Sequence, residues 1–165
     1  MIERIVSKPN MLKACRQVVS NKGAAGVDGL GVAMLAKHLT VHGERLAPEL
    51  QSGKYEPQVI LGVAIPKSKG GTRLLGVPTV VDRLLQQAAH QVIMPLFEVE
   101  FKAHSYGFRP GRSAQQAVLR AQQNINEGYQ HIVDIDLKSF FDEVDHGVLL
   151  QLLYRKVKCP LTMRL

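Results

Sequence analysis

His131-Ile132-Val133-Asp134-Ile135-Asp136-Leu137-Lys138-Ser139-Phe140-Phe141-Asp142-Glu143-Val144 gathers carboxylates and aromatic rings in one apolar stretch of the chain. Its period-2 alternation predicts a strand with Val133, Ile135 and Leu137 on one face and Asp134 and Asp136 together on the other. Two carboxylates on one strand face repel and desolvate badly unless a cation or a water-filled cleft compensates. Taken alone, the pattern also fits a strand end whose acids are simply solvated, and nothing in it separates Asp134 from Asp136.

The surroundings narrow the choice. At 165 residues, with 45% apolar and 21% charged residues, the chain suits one soluble domain with a real core. No apolar run is long enough to span a bilayer, and Met1-Ile2-Glu3-Arg4 opens no signal-peptide h-region, so no membrane association is expected. Cys15 and Cys159 lie far apart without metal-ligand spacing, which makes a reduced, cytoplasmic protein the default. The net charge of +7 is uneven: residues 1–60 carry 8 Lys/Arg against 5 Asp/Glu, residues 61–130 carry 8 against 4, and residues 131–165 carry 5 against 5. A basic body beside a locally acidic strand suits a polyanion held next to bound metal, although charge alone does not single out nucleic acid.

Upstream, Pro9 opens a predicted helix to about Asn21 with a stripe of Met11, Leu12, Cys15, Val18 and Val19. The glycine-rich loop Lys22-Gly23-Ala24-Ala25-Gly26-Val27-Asp28-Gly29 follows, which as a bare pattern is a long turn. A second helix, roughly Val32 to Leu50 and interrupted near His42-Gly43, carries Leu35, Leu39, Leu46 and Leu50. Tyr55 to Val77 reads as a β-hairpin, tipped by Pro66-Lys67-Ser68-Lys69-Gly70-Gly71-Thr72-Arg73. A three-residue loop, Lys69-Gly70-Gly71, would set Lys67 directly across from Arg73 as a two-pronged phosphate grip; a solvated tip is the plainer alternative.

Thr79-x-x-Asp82 predicts a helix N-terminus, with Leu84, Leu85, Ala88, Val92 and Ile93 buried and Pro95 ending or kinking the helix. Asp82-Arg83 reads as a capping pair, and Gln86, Gln87 and Gln91 as polar positions facing either a groove or solvent. Ser105-Tyr106-Gly107-Phe108-Arg109-Pro110-Gly111-Arg112-Ser113 is a stiff, basic, ring-bearing loop of a kind that contacts phosphates and stacks on bases. Ser113 with Gln116 caps a helix to about Glu127, its stripe being Ala114, Ala117, Val118, Ala121 and Ile125, and Gly128 closes it. Asp145 caps another helix, and Pro160 opens one that the chain leaves short.

Five of these segments, in this order, resemble the reverse transcriptase domain of bacterial group II intron-encoded reverse transcriptase/maturases. They are Lys22–Gly29, Ile65-Pro66-Lys67 with Gly71–Pro78, Asp82-Arg83-Leu84-Leu85-Gln86, Ser105–Ser113, and Asp136-Leu137-Lys138-Ser139-Phe140-Phe141-Asp142. The resemblance covers about Lys22 to Arg155 and implies an α+β right-hand polymerase: fingers over residues 1–130, and the start of the palm, truncated, over 131–165. It implies RNA-directed DNA polymerase activity on an RNA template and RNA/DNA primer duplex, with intron RNA a natural partner. Asp136 becomes the catalytic metal ligand, because Phe141 stands five residues on, where the family places its steric gate against a 2′-hydroxyl. The Leu137 carbonyl would be a further metal ligand. Lys67 and Arg73 would grip the dNTP, with Phe141 under its sugar. Lys22, Gly23, Gly26, Gln86, Tyr106, Arg109 and Arg112 would touch template or primer. Two Mg²⁺ ions, with Mn²⁺ as a possible substitute, suit hard carboxylate ligands and an in-line attack of a primer 3′-oxygen on the α-phosphorus.

The family's second catalytic motif, an aromatic-x-Asp-Asp hairpin, does not occur in these residues. A half-built metal site implies that the 165-residue chain alone does not polymerise. The exposed palm edge implies self-association or a covering partner chain. The alternatives are a maturase-type RNA-binding module without catalysis, or a related non-intron reverse transcriptase of a defence or CRISPR-associated system.

Overall fold

A computed structural model of the chain describes residues 1–68 and 70–165. The order is α1 (Ile2–Ile5), α2 (Lys8–Ser20), a 3₁₀ turn (Val32–Met34), α3 (Leu35–Gln51), β1 (Leu61–Pro66), β2 (Thr72–Val77), α4 (Val80–Glu98), α5 (Ala114–Asn126), α6 (His146–Val157) and α7 (Pro160–Arg164). This is an α+β arrangement with one two-stranded antiparallel sheet among the described residues.

The core lies among α1 to α4. Ile5, Leu35, Val80, Leu84 and Ala88 are fully buried, with Ile2, Ala14, Val18, Leu46, Leu50, Leu85 and Val92 around them. The burying face of α2 centres on Ala14 and Val18, four residues apart, while Leu12 and Val19 from the predicted stripe stay largely exposed. A small Ala14 lets α2 approach α4 closely, which leaves the longer side chains at the flank. Asn10 knits the same helices, donating to the Ile5 and Ala88 carbonyls at 2.8 and 3.0 Å, and Gln91 donates back to the Asn10 side chain at 2.8 Å. That knot gives Gln91 an internal role.

Several predicted elements differ: β1 begins at Leu61 and not near Tyr55. Helix α3 runs without interruption through His42-Gly43, and α4 continues past Pro95 to Glu98. The acidic stretch forms no strand: residues 131–137 are without regular structure, and Ile132, Val133, Ile135 and Leu137 are all exposed. Alternation supplies the side-chain pattern of a strand, but a strand also needs a neighbour to take its backbone N–H and C=O groups. The only sheet among the described residues is the hairpin, whose two strands pair with each other. The predicted helix α5 forms with its capping box, yet none of its residues is buried; Val118, Leu119 and Ile125 face solvent. Helix α6 likewise buries only Val157, and Lys156 fixes it to the end of α4 through Glu100 and over the Phe97 ring.

The N-terminus of α4 joins these pieces. Thr79 caps it, accepting from the Asp82 backbone N–H at 3.2 Å. Asp82, 5% exposed, accepts from the Thr79 hydroxyl at 2.6 Å, the Tyr55 phenol at 2.6 Å and the Gln58 backbone N–H at 3.2 Å. The expected capping pair is therefore also the anchor of the segment leading into the hairpin.

Burial, and then the hydrogen bond to Asp82 and its charge, push the Tyr55 phenol well above the ordinary tyrosine value. Raised in the folded state, it contributes stability that is complete below the unfolded value near pH 10 and is lost as pH rises through the folded value. Tyr55→Phe should lower unfolding stability by about 1 kcal/mol at pH 7 in urea titrations. The gap to wild type should close as pH climbs above about 10; a gap that widens there would contradict the assignment.

Candidate nucleotide and nucleic-acid site

The hairpin projects the two cations singled out from sequence. β1 and β2 pair with Ile65 opposite Arg73 and Pro66 opposite Thr72, and the Lys67 N–H donates to the Gly71 carbonyl at 2.9 Å. Lys67 therefore opposes Gly71, and the expected direct pairing with Arg73 is corrected to a diagonal one on the same face, two residues apart. The loop Lys69-Gly70-Gly71 was the basis of that expectation, and Lys69 lies outside the described residues. Gly70 and Gly71 both have positive φ, +91° and +82°, and the Gly70 N–H donates to the Lys67 carbonyl at 3.1 Å. Successive glycines let the chain reverse earlier than a three-residue loop over 69–71 would. Lys67 and Arg73 are exposed, and no acidic partner lies within salt-bridge distance among the described residues.

The glycine-rich loop packs against the first turn of α4. A Cβ on Gly26 would lie 2.7 Å from the Thr79 Cα, so only glycine lets the loop come this close. Gly23 sits against the Arg83 guanidinium, whose Nη2 donates to the Ala24 carbonyl. Gly26 thus has a packing reason independent of any ligand, whereas a Cβ on Gly23 would meet only the flexible end of the Arg83 side chain. Lys22, just past the C-cap of α2, has φ +50° and is exposed. Beside the loop, Val18, Asn21, Arg83, Gln86, Gln87 and His90 line a groove of about 370 Å³. Asn21, Arg83 and His90 were not among the sequence candidates; Arg83 and His90 share the α4 spacing of Gln86 and Gln87, a signal that could have included them.

The loop between α4 and α5 is fixed from within. Arg109 donates Nε and Nη2 to Glu98 at 3.0 and 2.7 Å, and Nη1 to the carbonyls of Lys102 and Ser105 at 2.7 and 2.8 Å. Its side chain is 7% exposed and lies over the Phe101 ring. The Arg109 guanidinium is thus engaged by Glu98 at the end of α4 and by two carbonyls of the loop, which gives it a structural role here. Arg112 is exposed, with its guanidinium 5.6 Å from the centre of the half-buried Tyr106 ring.

Asp136 and Leu137 lie on the edge of an open cavity of about 640 Å³ that also includes Ser139, Phe140, Phe141 and Asp142. Ser139 has φ +50° and its carbonyl accepts from Asp142 and Glu143, so the chain turns directly after Lys138. Phe140 and Phe141 meet edge to face at 5.5 Å, and Phe141 is exposed. Asp134 is exposed and does not line this cavity. For a divalent cation the donors here are Asp136, the Leu137 carbonyl and Asp142; among the described residues no three His, Cys, Asp or Glu side chains converge on one point. Asp136 and the Leu137 carbonyl are hard oxygen donors of the kind that hold Mg²⁺ together with waters and substrate phosphates.

The class follows from comparison with known proteins. A family model of the reverse transcriptase (RNA-dependent DNA polymerase) matches residues 65–164, which takes in the end of β1, β2, α4, the basic loop and the acidic stretch. The chain belongs to the reverse transcriptase family. Its relatives include protein YkfC of Escherichia coli K12, 37% identical over 161 residues that cover 93% of this chain and 42% of that protein. The group II intron-encoded protein LtrA of Lactococcus lactis subsp. cremoris is 31% identical, over 88% of this chain and 24% of its own length. The putative COX1/OXI3 intron 1 protein of Saccharomyces cerevisiae is 28% identical, over 93% and 18%. The resemblance to group II intron proteins is thus borne out over most of the chain, which spans less than half the length of each of these relatives. No helix among the described residues is long and apolar enough to cross a membrane.

Proposed function

We propose that these residues form the fingers, over 1–130, and the opening of the palm, over 131–165, of an RNA-directed DNA polymerase of the group II intron type. The observation that carries this reading is the pair Lys67 and Arg73, exposed on one face of the hairpin and both within the residues of the family match. A lysine point charge and an arginine fork on one face suit a triphosphate. Phe141, exposed beside Asp136, is placed by family resemblance under the nucleotide sugar. Template RNA and RNA/DNA primer duplex, with intron RNA as the natural source, would meet Lys22 and the loop at Gly23 and Gly26, with Gln86, Tyr106 and Arg112. Asp136 and the Leu137 carbonyl would supply this chain's share of ligands for Mg²⁺, whose role is to neutralise charge on the reacting phosphates. The remaining acids would come from outside these 165 residues, and the chain alone is expected not to extend a primer.

A maturase-type RNA-binding module is the second reading, favoured by the net charge of +7. The two separate on nucleotide. Lys67→Ala and Arg73→Ala should each weaken deoxynucleoside triphosphate binding by about tenfold, since each removes a charge-assisted contact. Affinity for RNA should stay within about twofold of wild type. Equal nucleotide affinity in all three proteins would reject the polymerase reading and leave the RNA-binding one.

The uncovered apolar side chains of residues 132–141, α5 and α6 suit cover by a second copy or a partner chain. Light scattering on the purified chain should show mass rising with concentration; a strict monomer throughout would reject self-association.

A further inference from the structure

Phe108 presents an aromatic ring that the fold does not use. It is fully exposed, at 105% relative accessibility, and its φ of +54° lies in the left-handed region that non-glycine residues rarely adopt. A single apolar side chain on a surface is ordinary, but one held outward on an unfavourable backbone needs surroundings that impose it. Those surroundings are on both sides of it. Arg109 ties the following residue to Glu98 and to two carbonyls of the same loop. The Arg112 N–H donates to the Arg109 carbonyl at 3.2 Å, Gly111 takes a φ of +69°, and the capping box of Ser113 and Gln116 fixes the exit into α5. On the same loop, exposed Arg112 lies over the Tyr106 ring.

We propose that Phe108 is a stacking platform for an unpaired base of single-stranded nucleic acid, with Arg112 beside it for the neighbouring phosphate and Arg109 as the residue that positions the loop. The chemistry of the loop selects this ligand. A bare ring complements the π-face of any base, an adjacent guanidinium complements the backbone charge, and the chain as a whole is basic. A loop backbone already fixed around Phe108 has little further freedom to lose on binding. The proposal rests on the RNA-binding reading above and deepens it by assigning the base contact to a residue that reading does not use.

The chain has no tryptophan, so Phe108→Trp introduces a single fluorescent reporter at the proposed contact. Single-stranded oligoadenylate should quench it, and inorganic polyphosphate of matching charge should not. Phe108→Leu keeps apolar bulk but removes the ring; it should bind oligoadenylate about tenfold more weakly with an unchanged salt dependence, because no phosphate contact is lost. Circular dichroism of both variants should match wild type, the ring having no packing role. Oligoadenylate binding with no quench and no loss in Phe108→Leu would overturn the stacking assignment and leave RNA binding in place. Equal quenching by polyphosphate would overturn it as well. Failure of wild type to bind oligoadenylate at all would overturn both this proposal and the reading beneath it.

Discussion

The carboxylate of Asp82 is the constraint on which the arrangement of this chain depends. A nearly buried acid is costly unless its lone pairs are satisfied, and here three donors converge on it from Tyr55, Gln58 and Thr79. Two of those donors lie 24 to 27 residues upstream, so the network fixes the approach to the hairpin against α4. The same turn of helix receives the glycine-rich loop, through Gly26 against the Thr79 backbone and Arg83 beneath Ala24. Two elements that carry candidate ligand contacts are thus set by one helical turn. Neither is held by burial of its own side chains, since the hairpin residues are mostly exposed.

This division of labour accounts for where the chain is well packed and where it is open. α1 to α4 enclose an apolar core, while the acidic stretch, α5 and most of α6 leave apolar side chains in solvent. Those open parts lie within the region matched to reverse transcriptases, and the relatives reach well beyond the matched length. The basic excess lies in the first 130 residues and the balanced charge follows it, the order in which a polyanion-binding surface and a carboxylate site would occur.

What was legible in the sequence was mostly local. Thr79, Ser113 and Asp145 announce helix starts because capping involves residues only three apart, and all three caps form. The hairpin and the family were legible from β-branched runs and ordered motifs. The hairpin register was not, because it depends on where the chain reverses, and the sequence does not show that Gly70 and Gly71 both take positive φ. Residues 131–137 have a strand's pattern without a strand's neighbour. Arg109 looks like a phosphate contact in any basic loop, but its carboxylate partner is Glu98, eleven residues back at the end of α4. The Asp82 network escaped notice for the same reason: Thr79-x-x-Asp82 reveals the cap, and Tyr55 is too far away to be paired with it by spacing.

Hydrogen exchange on Asp82→Asn tests most directly whether one helical turn sets both elements. The Gln58 amide is bonded to Asp82 itself, whereas the Gly29 and Leu30 amides are bonded within the glycine-rich loop, to the Gly26 carbonyl and the Asp28 side chain. If the first turn of α4 holds hairpin and loop together, all three amides should lose protection in the variant while core amides such as that of Leu84 keep theirs. Loss of protection at Gln58 with Gly29 and Leu30 unchanged would show that the two elements are held independently, and would contradict the account.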